Sequence, residues 1–316
     1  MKLKKYMFLL ALLISYGLQA QEKTITKSFS GITEINLNTA SGDCQIVKGS
    51  GDKVDVKLVY SYSDDIFEAV FEQEGSVLEI KEKFERNSNS RGSSSWKLTV
   101  PENLEININT GSGDIIAKSL ALKLKSNSGS GDITLDYISG QVKVNTGSGE
   151  FTADSFDGKL KLNTGSGDVD LSNSKGSFSI NLGSGDIEAT KLTGEFSMNV
   201  GSGDIDTKDI VLTGKSSFNA GSGDVRITLS SALKNDISIN SGSGNAILDF
   251  NGIKVAGDFT MKANKRHGDI SAPFDFDEVT EEERGDQIIV KKIAKVGGSN
   301  VKINISTGSG RAVVEK

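Results

Sequence analysis

Gly-Ser-Gly opens at Gly111, Gly129, Gly147, Gly165, Gly183 and Gly201, each 18 residues after the last, and continues at Gly221 and Gly242. A fixed period in this range is the signature of a solenoid, and it limits what the chain can fold into more than any local motif does. Counted from Glu105, the copies read EININTGSGDIIAKSLAL, KLKSNSGSGDITLDYISG, QVKVNTGSGEFTADSFDG, KLKLNTGSGDVDLSNSKG and SFSINLGSGDIEATKLTG. Apolar residues fall at the second and fourth positions, as in Ile106/Ile108, Val142/Val144, Leu160/Leu162, Phe178/Ile180 and Phe196/Met198. They recur at the eleventh and thirteenth, as in Ile115/Ala117, Ile133/Leu135, Val169/Leu171 and Ile187/Ala189. Alternation with period two means a strand with one buried face. Leu120, Ile138, Phe156 and Leu192 add an apolar residue to the closing segment. One copy is therefore one coil: a strand, a glycine corner, a second strand, a short third side and a return. Eighteen residues are too few for a strand-helix-strand unit, and no helical period occurs. The expected fold class is all-β, a parallel β-solenoid of about 18-residue coils with antiparallel hairpin insertions. A lone coil cannot offset the entropy of ordering its backbone, so the copies must stack.

Two polar columns follow from the stacking. The fifth position is Asn in eight coils: Asn109, Asn127, Asn145, Asn163, Asn181, Asn199, Asn219 and Asn240. An amide carries both donor and acceptor, so a structural ladder of side-chain hydrogen bonds is expected. The tenth position is Asp114, Asp132, Asp168, Asp186, Asp204 and Asp224, with Glu150 and Asn245 as departures. Such a column of like charges must splay into water, accept N–H bonds from its own corners, or share cations. The corner bonds are the preferred expectation, because Asp beside glycine is a common turn residue. Calcium is the alternative, with these six carboxylates as its ligands. The phrase GSGD resembles calcium-binding β-roll repeats, but its period is 18 rather than nine. No cofactor is otherwise expected.

Residues 1–20 read as a signal peptide: Lys2, Lys4 and Lys5, then MFLLALLISYGL, then Ala20 for cleavage. The chain is expected to be exported to the periplasm, the cell surface or the medium, with no transmembrane span after cleavage. Removal of the three lysines takes the net charge from −6 to −9, which argues against nucleic acid or an anionic membrane as partner. The single cysteine, Cys44, cannot form an intramolecular disulfide.

Residues 21–104 hold a first coil and an excursion. GITEINLNTASGDCQI (31–46) fits the coil pattern, with Asn38 and Asp43 in the two columns and Ala40 in place of the first corner glycine. Cys44 then takes an inward position as a small buried apolar residue. From Asp52 to Pro101 the period is lost, and longer alternating runs with a Glu-Gly turn predict an antiparallel excursion covering one end or face of the stack. NSNSRGSSS (87–95) reads as a loop.

INLNTASGD, WKLTVPENLEININTGSGDI and the following GSGDI coils resemble the DUF4097 family, exported β-strand-repeat proteins labelled as candidate adhesins and close to the head-GIN domain proteins. The resemblance covers most of the mature chain. It implies an envelope-located β-solenoid and brings no catalytic residues with it.

The regular repeats run over 105–257, and 258–316 hold a degraded coil, a hairpin and a final coil, with 21–316 read as one continuous domain. Asp269 keeps the Asp column, and an acidic run (Asp277, Glu278, Glu281 to Glu283) faces a basic one (Lys291, Lys292, Lys295). VKINISTGSGRAVV (301–314) then ends the stack with Arg311 in the Asp position. The sequence holds no Cys/His cluster with metal-ligand spacing, and His267 stands alone in a turn. No helix follows any glycine triplet, which removes the phosphate-loop reading. Three function classes remain: a non-catalytic, adhesin-like surface protein presenting a repetitive face to a glycan or protein; a polysaccharide-active enzyme, by analogy of fold alone; and an envelope scaffold that binds a partner through its insertions.

Overall fold

The computed structural model describes residues 22–85 and 91–316. The leader read over 1–20 and residues 87–90 of the expected loop lie outside them. The described residues contain no α-helix, and so none long and apolar enough to cross a membrane.

Each repeat makes one turn of a three-sided parallel β-solenoid. In the coil that starts at Gln141, the first side runs to Thr146, Gly147–Gly149 turn the corner, and Phe151–Asp154 form the second side. Ser155 turns again, and residues 156–158 close the third side against the coils before and after. Coils stack in register, so that Val142, Leu160, Phe178 and Phe196 follow one another, as do Ile133, Phe151, Val169 and Ile187. These inward residues are buried at 2% exposure or less, which is what strict alternation requires of a one-sided strand. Where the column widens to Phe218, the inward residue two positions earlier shrinks to Ser216. Its hydroxyl donates to the Gly214 carbonyl and accepts from the Phe196 amide.

The corner glycines are set by the distance between coils as much as by torsion. A Cβ on Gly129, Gly147, Gly165 or Gly183 would stand 2.5–2.6 Å from the carbonyl oxygen of the corner glycine one coil earlier. From Gly131 onward the last glycine of the triplet adds a positive φ, as with +113° at Gly167 and +117° at Gly185. Ala40 replaces the first glycine only in the coil of residues 34–48, where no other triplet precedes it. Its amide donates instead to Glu82.

The ends depart from chain order. Val77–Phe84 and Ser94–Val100 run parallel to Glu34–Thr39 and Asp43–Lys48. The excursion therefore contributes a further coil, stacked outside the first. Phe67–Glu74 pairs antiparallel with Val77–Phe84, and Val54–Tyr60 with both Lys23–Phe29 and Ser94–Val100, so the expected antiparallel excursion is present, but two of its strands also join the parallel stack. Ser94 and Ser95, expected in a loop, belong to this parallel strand. Ser94 Oγ and Trp96 Nε1 both donate to Glu82, which fastens the outer coil to the Ala40 corner. At the other end Lys302–Glu315 inserts between the coil of 237–249 and the coil of 257–271. The last coil in sequence is thus second to last in space. Gln287–Val296 and Glu278–Arg284 then extend the first side antiparallel. Both sequence-terminal coils are held between others, and the outermost strands are short or carry lysine and glutamate, features that discourage edge pairing. Aromatic side chains plug each end: Tyr60, Tyr62, Phe67 and Phe84 at one, Phe250, Phe259, Phe274 and Phe276 at the other.

Candidate functional site

In-register stacking turns every outward position into a column. The fifth-position asparagines form a continuous chain of side-chain bonds. Nδ2 of Asn109, Asn127, Asn145, Asn163, Asn181, Asn199, Asn219 and Asn240 each donates to Oδ1 of the asparagine one coil before, starting from Asn38, at 2.7–2.9 Å. Ser306 Oγ donates to Asn240 Oδ1 and ends the ladder. All bonds point the same way, so each amide polarises the next. The column is half-buried to exposed along its length.

The tenth-position carboxylates also accept backbone N–H bonds, but not from their own corners. Oδ1 of Asp114 accepts from the Asp132 amide, Asp132 from Glu150, Asp168 from Asp186, Asp186 from Asp204, Asp204 from Asp224, and Asp224 from Asn245, at 2.7–3.0 Å. Corner amides such as those of Ser166, Gly185 and Gly203 are committed to carbonyls of neighbouring coils. The free N–H that points along the stack is the one at the tenth position itself. Among the described residues no three His, Cys, Asp or Glu side chains converge as a metal site.

A third column has no counterpart in the sequence reading. Ser119, Tyr137, Ser155, Asn173, Lys191 and Asp209 turn the second corner with φ between 48° and 59°. Left-handed backbone costs a residue with a Cβ roughly 1–2 kcal/mol. Inter-coil bonds help to offset it: the amides of Ser155, Asn173 and Lys191 donate to Ser172, Thr190 and Lys208 carbonyls at 2.8–3.1 Å.

The two long sides differ in charge. Outside the first side stand two rows, Lys123, Gln141, Lys159 and Ser177 beside Lys125, Lys143, Lys161 and Ser179. They line a trough of about 440 Å³. Outside the second side, Asp170, Glu188 and Asp206 follow one another next to the Asp column. Partial burial, with Glu150 and Glu188 beside it, raises the Asp170 pKa above the ordinary carboxylate value. Asp154 has the reverse surroundings: hydroxyl and amide donors from Ser172, Asn173 and Ser155 lower its pKa.

A cavity of about 650 Å³ lies by the N-terminal plug. Beside it, Lys23 Nζ stands 2.8 Å and Tyr60 Oη 3.0 Å from Asp64 Oδ1. Cys44 is buried at 2% exposure, and burial pushes its thiol up to about 12. His267 sits in the turn before Gly268–Ser271, with its backbone amide bonded to Asn264.

The family described as Toastrack DUF4097 matches residues 32–253 of the chain. Among solved structures, similarity is found to a candidate lipid-binding protein from Parabacteroides distasonis, at 19% identity over 73% of this chain and 90% of that one, with a TM-score of 0.39. A candidate adhesin from Parabacteroides merdae is 15% identical over 69% of this chain and 93% of its own, with a TM-score of 0.36. Another from Bacteroides fragilis is 13% identical over 95% and 100%, with a TM-score of 0.34. No protein of curated function matches the chain.

Proposed function

The chain belongs to the Toastrack DUF4097 family, and on that premise we propose that it is a non-catalytic, exported surface protein that presents its repeated outer faces to a glycan or protein partner. The observation that carries this reading is the register. Because equivalent residues pair from coil to coil, each outward position lines up along the stack, and such rows suit a repetitive or extended ligand. The leader sequence supports export. The composition of the faces supports binding: lysines on the first side and carboxylates on the second follow one another along the stack.

The test is an array of glycans and envelope proteins probed with the purified protein, with released sugars assayed in the same incubations. Saturable binding without product formation is expected. Sustained release of glycan fragments, abolished by one substitution, would overturn the reading. Fractionation with surface proteolysis of intact cells is expected to find the protein outside the cytoplasm.

A further inference from the structure

Net charge describes a whole chain and not its surfaces. This chain carries −6, yet Lys123, Lys125, Lys143, Lys159 and Lys161 all stand exposed around one trough on the first side. Among the described residues, Lys125 pairs with Glu105, and no carboxylate lies within ion-pair distance of the other four. We propose that this trough binds a linear polyanionic polysaccharide, carboxylated or sulfated, along the solenoid axis. The proposal rests on the surface-binding reading above and names its ligand class.

Three features select that ligand. The lysines recur with the coil spacing, roughly 4.8 Å, which places cations at about the interval of successive sugar rings in an extended polymer. The two rows are alternate outward residues of the same strands, roughly 7 Å apart. A channel of that width admits one extended chain and not the flat face of a second solenoid or of a bilayer. No aromatic side chain lines the trough, so sugar rings have nothing to stack on, and recognition must come from charge. Neutral glycans lack what this surface reads. The patch is also bounded: Glu105 stands at one end, and Ser177, Ser179 and then Glu195 follow at the other.

The experiment is titration of the purified protein with polygalacturonate and with dextran sulfate at low salt, with neutral dextran as control. Both polyanions are expected to bind and dextran is not. The variant Lys143→Gln/Lys159→Gln/Lys161→Gln should lose at least tenfold in affinity and show a shallower salt dependence, because fewer counterions are released. A control with three lysines off the patch, Lys175→Gln/Lys191→Gln/Lys208→Gln, should bind as the wild type does, with melting midpoints of both variants unchanged. Absence of binding to either polymer, or equal loss in both triple variants, would overturn the proposal. So would binding to phosphatidylglycerol vesicles and to neither polymer. Concentration-dependent dimerisation that the patch variant abolishes, without polymer binding, would assign the trough to the acidic side of a second copy and refute the polysaccharide. Capture of neutral glycans or of a protein on the arrays, unaffected by the patch variant, would refute the polyanion and leave the surface-binding reading standing. Failure of every array and polymer ligand would remove both.

Discussion

A single methyl group at Gly183 tests whether the repeat spacing is set by contact between corners. Its Cβ would stand 2.5 Å from the Gly165 carbonyl oxygen, closer than the 3.0 Å below which real Cβ contacts essentially do not occur. The obstacle is backbone, so no side chain can swing aside, and the coils must part by about half an ångström. Overpacking of this kind costs roughly 1–3 kcal/mol. Stretching the two flanking interstrand hydrogen bonds adds up to about 1 kcal/mol each. The reduced freedom of alanine in the unfolded chain returns about 0.4–1 kcal/mol. Gly183→Ala should therefore destabilise by roughly 2 kcal/mol, and by up to about 4 if both bonds are lost. Gly185→Ala should cost more, because φ there is +117° and its Cβ would also meet a carbonyl oxygen at 2.5 Å. Gly51→Ala is the control: nothing lies within 4 Å of its added Cβ and its φ is not positive, so the same chemical change should be neutral or stabilise slightly. Urea unfolding followed by circular dichroism reads all three. A Gly183→Ala protein within about 0.5 kcal/mol of wild type, the range of ordinary surface substitutions, would refute the argument.

Further outcomes follow from the columns. Asn163→Leu leaves Asn181 Nδ2 without its acceptor and Asn145 Oδ1 without its donor; since water reaches this half-buried column, a loss of about 1 kcal/mol is expected, and an unchanged unfolding midpoint would show that the ladder adds no stability. Cys44 should resist iodoacetamide at mildly alkaline pH in the folded protein and react on denaturation, since a thiol pushed up to about 12 supplies almost no thiolate; rapid labelling of native protein would contradict its burial. Asp170→Asn should raise the melting temperature at neutral pH. A raised carboxylate pKa means that the folded state holds the proton more tightly than the unfolded chain, so ionised Asp170 weakens the fold. The gain should vanish below about pH 4, where the wild-type carboxyl is protonated in both states, and a gain that persists in acid would exclude ionisation as its cause.

Much of the fold was legible because one coil is nearly a local object. The 18-residue spacing, the alternation of Val142 and Val144 about Lys143, and the recurrent triplets specify the coil from adjacent residues. The order of coils in space was not legible at the ends. VKINISTGSGRAVV scans as a coil wherever it stands, and only its pairing with Ile237–Ser243 on one flank and Gly257–Asn264 on the other places it inside. The outer coil of Val77–Phe84 and Ser94–Val100 was hidden for a different reason. The sequence between its two strands lacks the Gly-Ser-Gly phrase that marks the other coils. The second-corner column escaped notice because Ser119, Tyr137, Ser155, Asn173, Lys191 and Asp209 share a backbone conformation and no chemistry. Their one common signal is position, 18 residues apart, mostly just before an apolar closing residue. The lysine trough was present in KLKSN, QVKVN and KLKLN, but averaging charge over the whole chain concealed it.

Both ladders and the lysine trough require coils stacked in register, and the order of the last coils places the final one in sequence inside the stack. Electron–electron spin distances measure this directly, with one label at Lys125 and the second in turn at Ser179, Ser217 and Asn304. These lie three, five and seven coils away in the same outward row. At about 4.8 Å per coil, separations of roughly 14, 24 and 34 Å are expected, rising linearly with the number of coils. A value near 38 Å for Asn304 would put the last coil beyond residues 257–271, and separations that do not rise in step with coil number would contradict the stack itself.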